Sequence, residues 1–255
     1  MRVPVSVVIP VRNEAAQIGE CLRHLAWADE VIVADAGSTD QTVVLARAAG
    51  AKVLEATGPT IAAQRNAAIA AARNPWVFAL DADERITPEL RDELAAVLGA
   101  PSHPVYRVRR RNFYLGREVI RGHWGRDWVV RLFPRERRYV ERRVHEGLEE
   151  AGPPGDLEGT ILHHPYRDLA HHIEKMERYA RWGAQDLYDK GARASAWDLS
   201  FRPLWRFVKV YVFGGAILEG RFGLVTSTLG AYSGFLKYAH LWALERAAKG
   251  PQASS

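Results

Sequence analysis

Asp81-Ala82-Asp83-Glu84 closes the apolar run Trp76 to Leu80. Carboxylates placed there can hold a hard divalent cation such as Mg or Mn, which stays partly hydrated and bridges to the phosphates of a substrate. The competing duty for these acids is to cap the following helix. That duty is already taken, because Thr87 supplies a cap and Pro88 a first helical residue, so Asp81 and Asp83 are expected to carry no structural work. A second polar group, Pro10-Val11-Arg12-Asn13-Glu14, ends another apolar run. A dinucleotide or triphosphate site would show a glycine-rich turn here, and none is present; a proline and a carboxylate can instead grip a nucleoside, while Asn13 as an ordinary helix cap is the plainer reading. The third group is Asp35-Ala36-Gly37-Ser38-Thr39-Asp40. An Asx turn would account for Asp35, but Ser38 and Thr39 can cap the next helix themselves, leaving the Asp35 carboxylate to accept from a ribose or a base.

The elements that must position these groups alternate. Val5 to Pro10, Glu30 to Asp35, Ala51 to Leu54 and Trp76 to Leu80 read as buried parallel strands. Glu14 to Leu25, Asp40 to Ala49 and Thr60 to Ala72 carry apolar residues at helical spacing. Such alternation predicts a doubly wound α/β sheet, in which ligands bind at the carboxyl ends of the strands near a switch in strand order. All three polar groups fall at strand ends, so three loops are expected to face one crevice. From about Pro104 to His164 short strand-like runs, Val105 to Val108 and Trp128 to Phe133, alternate with arginines and predict an antiparallel extension. After Pro165 the chain reads as helical, with a stripe over Leu169 to Lys190 and apolar stretches Phe207 to Leu218 and Phe222 to Leu236. Neither stretch reaches the roughly eighteen uninterrupted apolar residues of a spanning helix. A hairpin lying on a membrane surface and a helical pair packed on protein, including a second copy of the chain, both fit.

The chain has 255 residues, enough for one large unit or two small domains. Its single cysteine, Cys21, has no disulfide partner, and the first residues do not read as an export signal, so a reducing, cytoplasmic setting is expected. The net charge of +5 and the arginines at 107 to 111 and 135 to 143 suit nucleic acid, anionic lipid or phosphorylated substrates. Charge alone does not choose among them.

Val-Val-Ile-Pro-Val-Arg-Asn-Glu, Asp-Ala-Gly-Ser-Thr-Asp, Ala-Gln-Arg-Asn and Leu-Asp-Ala-Asp-Glu, in this order, resemble the family 2 glycosyltransferases of the GT-A fold over residues 3 to 100. Arg131-Leu-Phe-Pro134, Val144-His-Glu146 and Gly214-Gly-Ala-Ile-Leu-Glu-Gly220 resemble the subgroup of lipopolysaccharide core β-glucosyltransferases. The resemblance implies an α/β, doubly wound mixed sheet with an antiparallel extension, a nucleotide-sugar-binding and catalytic domain over 1–164, and a helical acceptor, membrane-surface or oligomerisation region over 165–255. It assigns Pro10, Arg12, Glu14 and Asp35 to the nucleotide sugar, Asp81 and Asp83 to a DXD-type motif engaging ribose and metal-bound diphosphate, and Arg65 to the diphosphate. Many relatives have lysine at the position of Arg65, serine at that of Ala36 and aspartate at that of Glu219. The implied partners are a UDP-linked sugar donor and a glycolipid or saccharide acceptor, with no nucleic acid.

Inverting transfer needs a carboxylate to take the acceptor's proton. Glu146 and Asp127 are the candidates, Glu146 preferred, and His145 is a further candidate contact to metal or diphosphate; surface ion pairs are the plain alternative for both acids. Trp197, Trp205, Tyr211, Phe213 and Trp242 among Arg202, Arg206, Lys209 and Lys237 would suit either an interfacial helix on anionic lipid or a core. Arg181-Trp182 has Arg178 where processive synthases carry glutamine, which favours single-sugar transfer. Two other functions compete: a sugar-phosphate nucleotidyltransferase, which wants the missing glycine-rich loop, and a non-catalytic protein that keeps the nucleotide-sugar fold.

Overall fold

The computed structural model describes residues 2–56, 58, 60–125, 127–140, 147–149 and 152–248. Two compact units emerge, one of residues 1–113 and 127–165, the other of 114–126 and 166–255.

In the first unit strands β1 (Val3–Val11), β2 (Ala28–Asp35), β3 (Lys52–Glu55) and β4 (Trp76–Ala79) are separated by helices α1 (Ala15–Arg23), α2 (Thr42–Ala48) and α3 (Ile61–Ala70). The strands pair in parallel in the order β3-β2-β1-β4, with Val11 opposite Asp35 and Val8 opposite Ala79. The chain leaves β1 to build outward on one side and then returns to its other side, so the switch in strand order lies between β1 and β4. β1 is buried almost throughout because both faces are covered. Val5, Val7 and Ile9 pack with Ile18 and Leu22 of α1, while Val8 packs with Ile32, Ala62 and Ile69 on the α3 side.

The sheet continues through β8 (Asp127–Pro134), β6 (Tyr106–Tyr114), β9 (Gly155–His163) and β5 (Glu84–Ile86). β8 is antiparallel to both β4 and β6, and β5 to β9, but β6 and β9 run parallel. The expected antiparallel extension is therefore mixed, because β9 arrives from a long excursion rather than a hairpin. α4 (Pro88–Gly99) starts where the sequence places it, with the Thr87 hydroxyl accepting from Leu90 N and proline in the first turn.

The second unit contains β7 (Arg117–Glu118), α5 (Leu169–Asp189), α6 (Ala196–Val208) and α7 (Arg221–Ala248), with α7 packed on both α5 and α6. Ser195 and Asp198 form a reciprocal capping box at the start of α6. The apolar stretch Phe207 to Leu218 is not one helix. It passes from α6 into a π turn at 209–213 and a 3₁₀ turn at 216–219, flanked by Gly215 and Gly220 at φ 72° and 62°. At Gly223 an added Cβ would lie 1.8 Å from the Ala216 carbonyl oxygen, so only glycine permits this approach of α7 to the turn. Among the described residues no helix is long and apolar enough to cross a membrane.

Candidate active site

The loops after β1 and β2 are stitched together. Asn13 adopts φ 58°, unusual for a residue with a side chain. Its backbone N–H donates to the Ser38 hydroxyl at 2.9 Å, and its Oδ1 accepts from Thr39 N at 2.8 Å. Asn13 is therefore a cross-loop clamp and not the expected helix cap. Glu14 N donates to Thr42 Oγ1 at 2.8 Å, and Asp40 receives Ala15 N and Thr42 N through its two oxygens. These bonds fix the start of α1 against the start of α2.

Asp35 is 5% exposed. Its Oδ2 accepts from Gly37 N at 3.2 Å and Ser38 N at 3.0 Å, so the Asx turn does form and uses one oxygen. The other, Oδ1, is buried with no hydrogen-bond partner among the described residues. An unsatisfied buried carboxylate oxygen costs free energy unless a donor arrives. Pro10 and Arg12 stand beside this loop pair, Pro10 opposite Ala34 in the β1–β2 ladder and Arg12 exposed.

Asp81 has the structural work that sequence reasoning denied it. Arg65 Nη2 lies 2.5 Å from Oδ1 and Arg131 Nη2 lies 2.8 Å from Oδ2. Burial alone would raise the Asp81 carboxyl, but the charges of Arg65 and Arg131 hold it well below the usual carboxylate range. Arg131, itself 3% exposed, also meets the fully buried Glu84 at 2.5 Å, and Glu84 Oε2 accepts from Asp81 N at 3.0 Å. Arg110 extends the network, reaching Glu84 at 3.2 Å and Asp127 at 2.8 Å. Asp127 Oδ2 additionally receives Asn112 Nδ2 at 3.2 Å. Alternating cations and carboxylates thus run from α3 across β4, β8 and β6.

Asp83 faces differently. Its Oδ1 is 3.5 Å from His163 Nε2 at the end of β9, and His163 Nδ1 bonds Asn112 Oδ1 at 2.6 Å. Such a bond from the second ring nitrogen fixes the orientation of an imidazole. Among the described residues no three His, Cys, Asp or Glu side chains gather as a metal-holding group. His145 and Glu146 lie outside the described residues. Cys21 is buried in α1 beside this region, and burial pushes its thiol up to about 12, so it is no nucleophile.

Arg131, Arg110 and His163 received no individual role from the sequence, and Glu84 entered only as a member of the acidic group Asp81-Ala82-Asp83-Glu84. A signal for Arg131 was present: an arginine inside the apolar run Val129-Val130-Arg131-Leu132-Phe133 needs a buried partner.

The residue pattern that defines the family described as Glycosyl transferase family 2 matches residues 6–149. The lipopolysaccharide core biosynthesis glycosyltransferase LpsC of Rhizobium meliloti is 30% identical over 250 residues, covering 94% of this chain and 93% of that protein. An uncharacterized glycosyltransferase of Rickettsia typhi is 26% identical, covering 93% of this chain and 86% of its own. Among solved structures, glucosyl-3-phosphoglycerate synthase from Mycobacterium tuberculosis, crystallised with Mn2+, UDP and glucosyl-3-phosphoglycerate, matches 44% of each chain at 27% identity and a TM-score of 0.37.

Proposed function

The chain belongs to glycosyl transferase family 2, and we propose that this glycosyltransferase moves a single sugar, glucose from UDP-glucose, with inversion onto a glycolipid such as a lipopolysaccharide core. The buried, partnerless Oδ1 of Asp35 at the switch point carries the nucleotide part of this reading. A ribose hydroxyl or a base N–H donating to it removes an unsatisfied acceptor, and the Asn13 clamp keeps Pro10, Arg12 and Glu14 in register around the nucleoside. Residues 1–164 form the catalytic domain, and 165–255 serve the acceptor and the membrane.

Asp83, through its hard carboxylate oxygen, and His163 beside it would hold a divalent cation, Mg or Mn. Asp81 is a partner through its arginines more than a free ligand, because both its oxygens are occupied by guanidinium groups. When bound, the cation supplies charge stabilisation to the departing diphosphate. Arg65 and Arg131 hold Asp81 rigidly, and Arg65 offers the diphosphate a guanidinium edge. Glu146 takes the acceptor proton. Asp127 suits that role less well, since Arg110 and Asn112 already occupy its Oδ2.

Support for a membrane contact comes from α6 and the turn after it. Trp197, Leu204, Trp205 and Phe213 are 58, 60, 50 and 72% exposed. Trp197 stacks on Phe201 at 4.0 Å. Arg202, Arg206 and Lys209 lie among them, an arrangement that seats aromatic rings in an anionic lipid interface at the cytoplasmic face of the membrane.

Calorimetric titration with nucleoside diphosphate sugars, with and without Mn, tests the proposal. Binding of a UDP-sugar that strengthens with Mn and disappears in Asp35→Ala and Asp83→Ala is the expected result. Absence of binding to every donor, with acceptor lipid present, would overturn it in favour of a non-catalytic protein.

A further inference from the structure

Asn112 is buried and sits beside His163 in the parallel β6–β9 ladder. Two residues earlier, on the same face of β6, Arg110 sits opposite Asp127 of β8. His163 is in turn opposite Glu84 of β5. Sheet register alone therefore sets Asp127, Asn112 and His163 in one row that ends beside the acidic motif.

The hydrogen bonds along this row run in a single direction. Asn112 Nδ2 donates to Asp127 Oδ2 at 3.2 Å. A carboxylate has no hydrogen to give, so this bond orients the amide, with its nitrogen toward β8 and its oxygen toward β9. Arg110 grips the same Asp127 oxygen from Nε at 2.9 Å and Nη2 at 2.8 Å, which holds the anchor in place. Asn112 Oδ1 then meets His163 Nδ1 at 2.6 Å. An amide oxygen only accepts, so the hydrogen in that bond belongs to Nδ1. Nε2 is left facing Asp83 Oδ1 at 3.5 Å. A carboxylate in place of Asn112 would repel Asp127, and an apolar side chain would bind neither neighbour. An amide donates on one side and accepts on the other.

We propose that Asn112, anchored by Asp127, is a positioning residue that keeps the hydrogen of His163 on Nδ1 and turns Nε2 toward Asp83. Its consequence for function rests on the cation proposed for Asp83 and His163: with Nδ1 committed to Asn112, Nε2 is the nitrogen presented to a ligand bond, and the ring cannot turn away from it. Asp127 then serves the site through Asn112 and not by taking the acceptor's proton.

Nitrogen-15 NMR of the full chain, free of metal, reads which ring nitrogen of His163 carries hydrogen, its signals being identified by their absence in His163→Gln. Spectra are taken at about pH 8, above the ordinary imidazole value of about 6.5. Calorimetric titration with Mn in the presence of UDP reads the consequence. Wild type should carry hydrogen on Nδ1. Asn112→Leu, similar in size but without an acceptor, should lose it to Nε2 and bind Mn about ten- to a hundredfold more weakly. The exchange Asn112→Asp with Asp127→Asn keeps an acceptor beside Nδ1 and an amide-to-carboxylate bond within the row, so it should restore both readouts. A residue of purely structural importance would lower the melting temperature without moving the hydrogen. Bare Nδ1 in wild type, hydrogen kept on Nδ1 in Asn112→Leu, or equal Mn affinity in the two would overturn the proposal. Should Asn112→Leu fail to fold, the wild-type spectrum and the exchanged pair decide by the same criterion. Hydrogen on Nδ1 in a wild type that binds no Mn would remove the cation from Asp83 and still support the positioning of His163 by Asn112.

Discussion

Arg131 Nη2 sits 2.8 Å from Asp81 Oδ2, so the first aspartate of the Asp-Ala-Asp motif is held by a guanidinium from β8, a strand entered some fifty residues later. The same nitrogen touches Glu84, which is completely buried. Removing one partner from such a cluster leaves an uncompensated charge, which costs more than the net worth of the pair. Arg131→Ala is expected to lower unfolding stability by about 3–5 kcal/mol, measured by urea denaturation. The double substitution Arg131→Met with Glu84→Gln should recover part of that loss.

The depressed Asp81 carboxyl gives a pH signature. Because its folded pKa lies below the ordinary value of 3.8, the stability it contributes is complete above about pH 4. It is lost as the pH falls through the folded value, when the unfolded chain takes up a proton that the folded one refuses. The stability difference between wild type and Asp81→Asn should be flat from pH 5 to 8 and shrink only in more acid solution.

His172 works in the other window. Burial lowers it from 6.5 to about 4, so the unfolded chain binds a proton between these values and the folded chain does not. Stability should therefore rise from pH 4 to 6.5 and level off above. In His172→Gln this component of the pH profile should be missing, as read from thermal melts across the range.

Asp83→Ala should cut transfer from the UDP-sugar by at least about a hundredfold, with circular dichroism showing that the fold is retained. A fully active Asp83→Ala protein would remove the metal-diphosphate role from this residue.

The two candidate bases separate by what each substitution does. Glu146→Gln should lower kcat by about 10²–10⁴ with donor binding retained, the range for loss of a general base. Asp127→Asn should instead destabilise the protein, because its carboxylate is bound to Arg110 and Asn112. The reverse pattern would transfer the base role to Asp127.

Trp205→Glu and Phe213→Glu should each reduce sedimentation with phosphatidylglycerol vesicles severalfold and leave transfer to a soluble acceptor intact. Unchanged sedimentation would leave the α6 face to a protein partner.

The four parallel strands, the helices between them and the gathering of three polar loops at strand ends were legible in the sequence. They rest on local pattern: β-branched apolar runs, helical spacing, and Thr87-Pro88 as a start signal. The family was legible for the same reason, since its motifs are short contiguous strings. Which job each motif residue does was decided elsewhere. Asp81 reads as free until β8 folds beside β4 and delivers Arg131. Asp35 gives one oxygen to a local turn and keeps the other buried without a partner among the described residues only once the β2 loop closes on Asn13. His163 reaches Asp83 because β9 pairs with β5. A cavity in the helical unit brings together residues as far apart in the chain as Val119 and Ser233. Strand runs and caps are set by interactions within a few residues, which a sequence displays. Ion pairs and cavities depend on distances of a few ångströms between residues far apart in the chain, and only the folded sheet and helix packing set those.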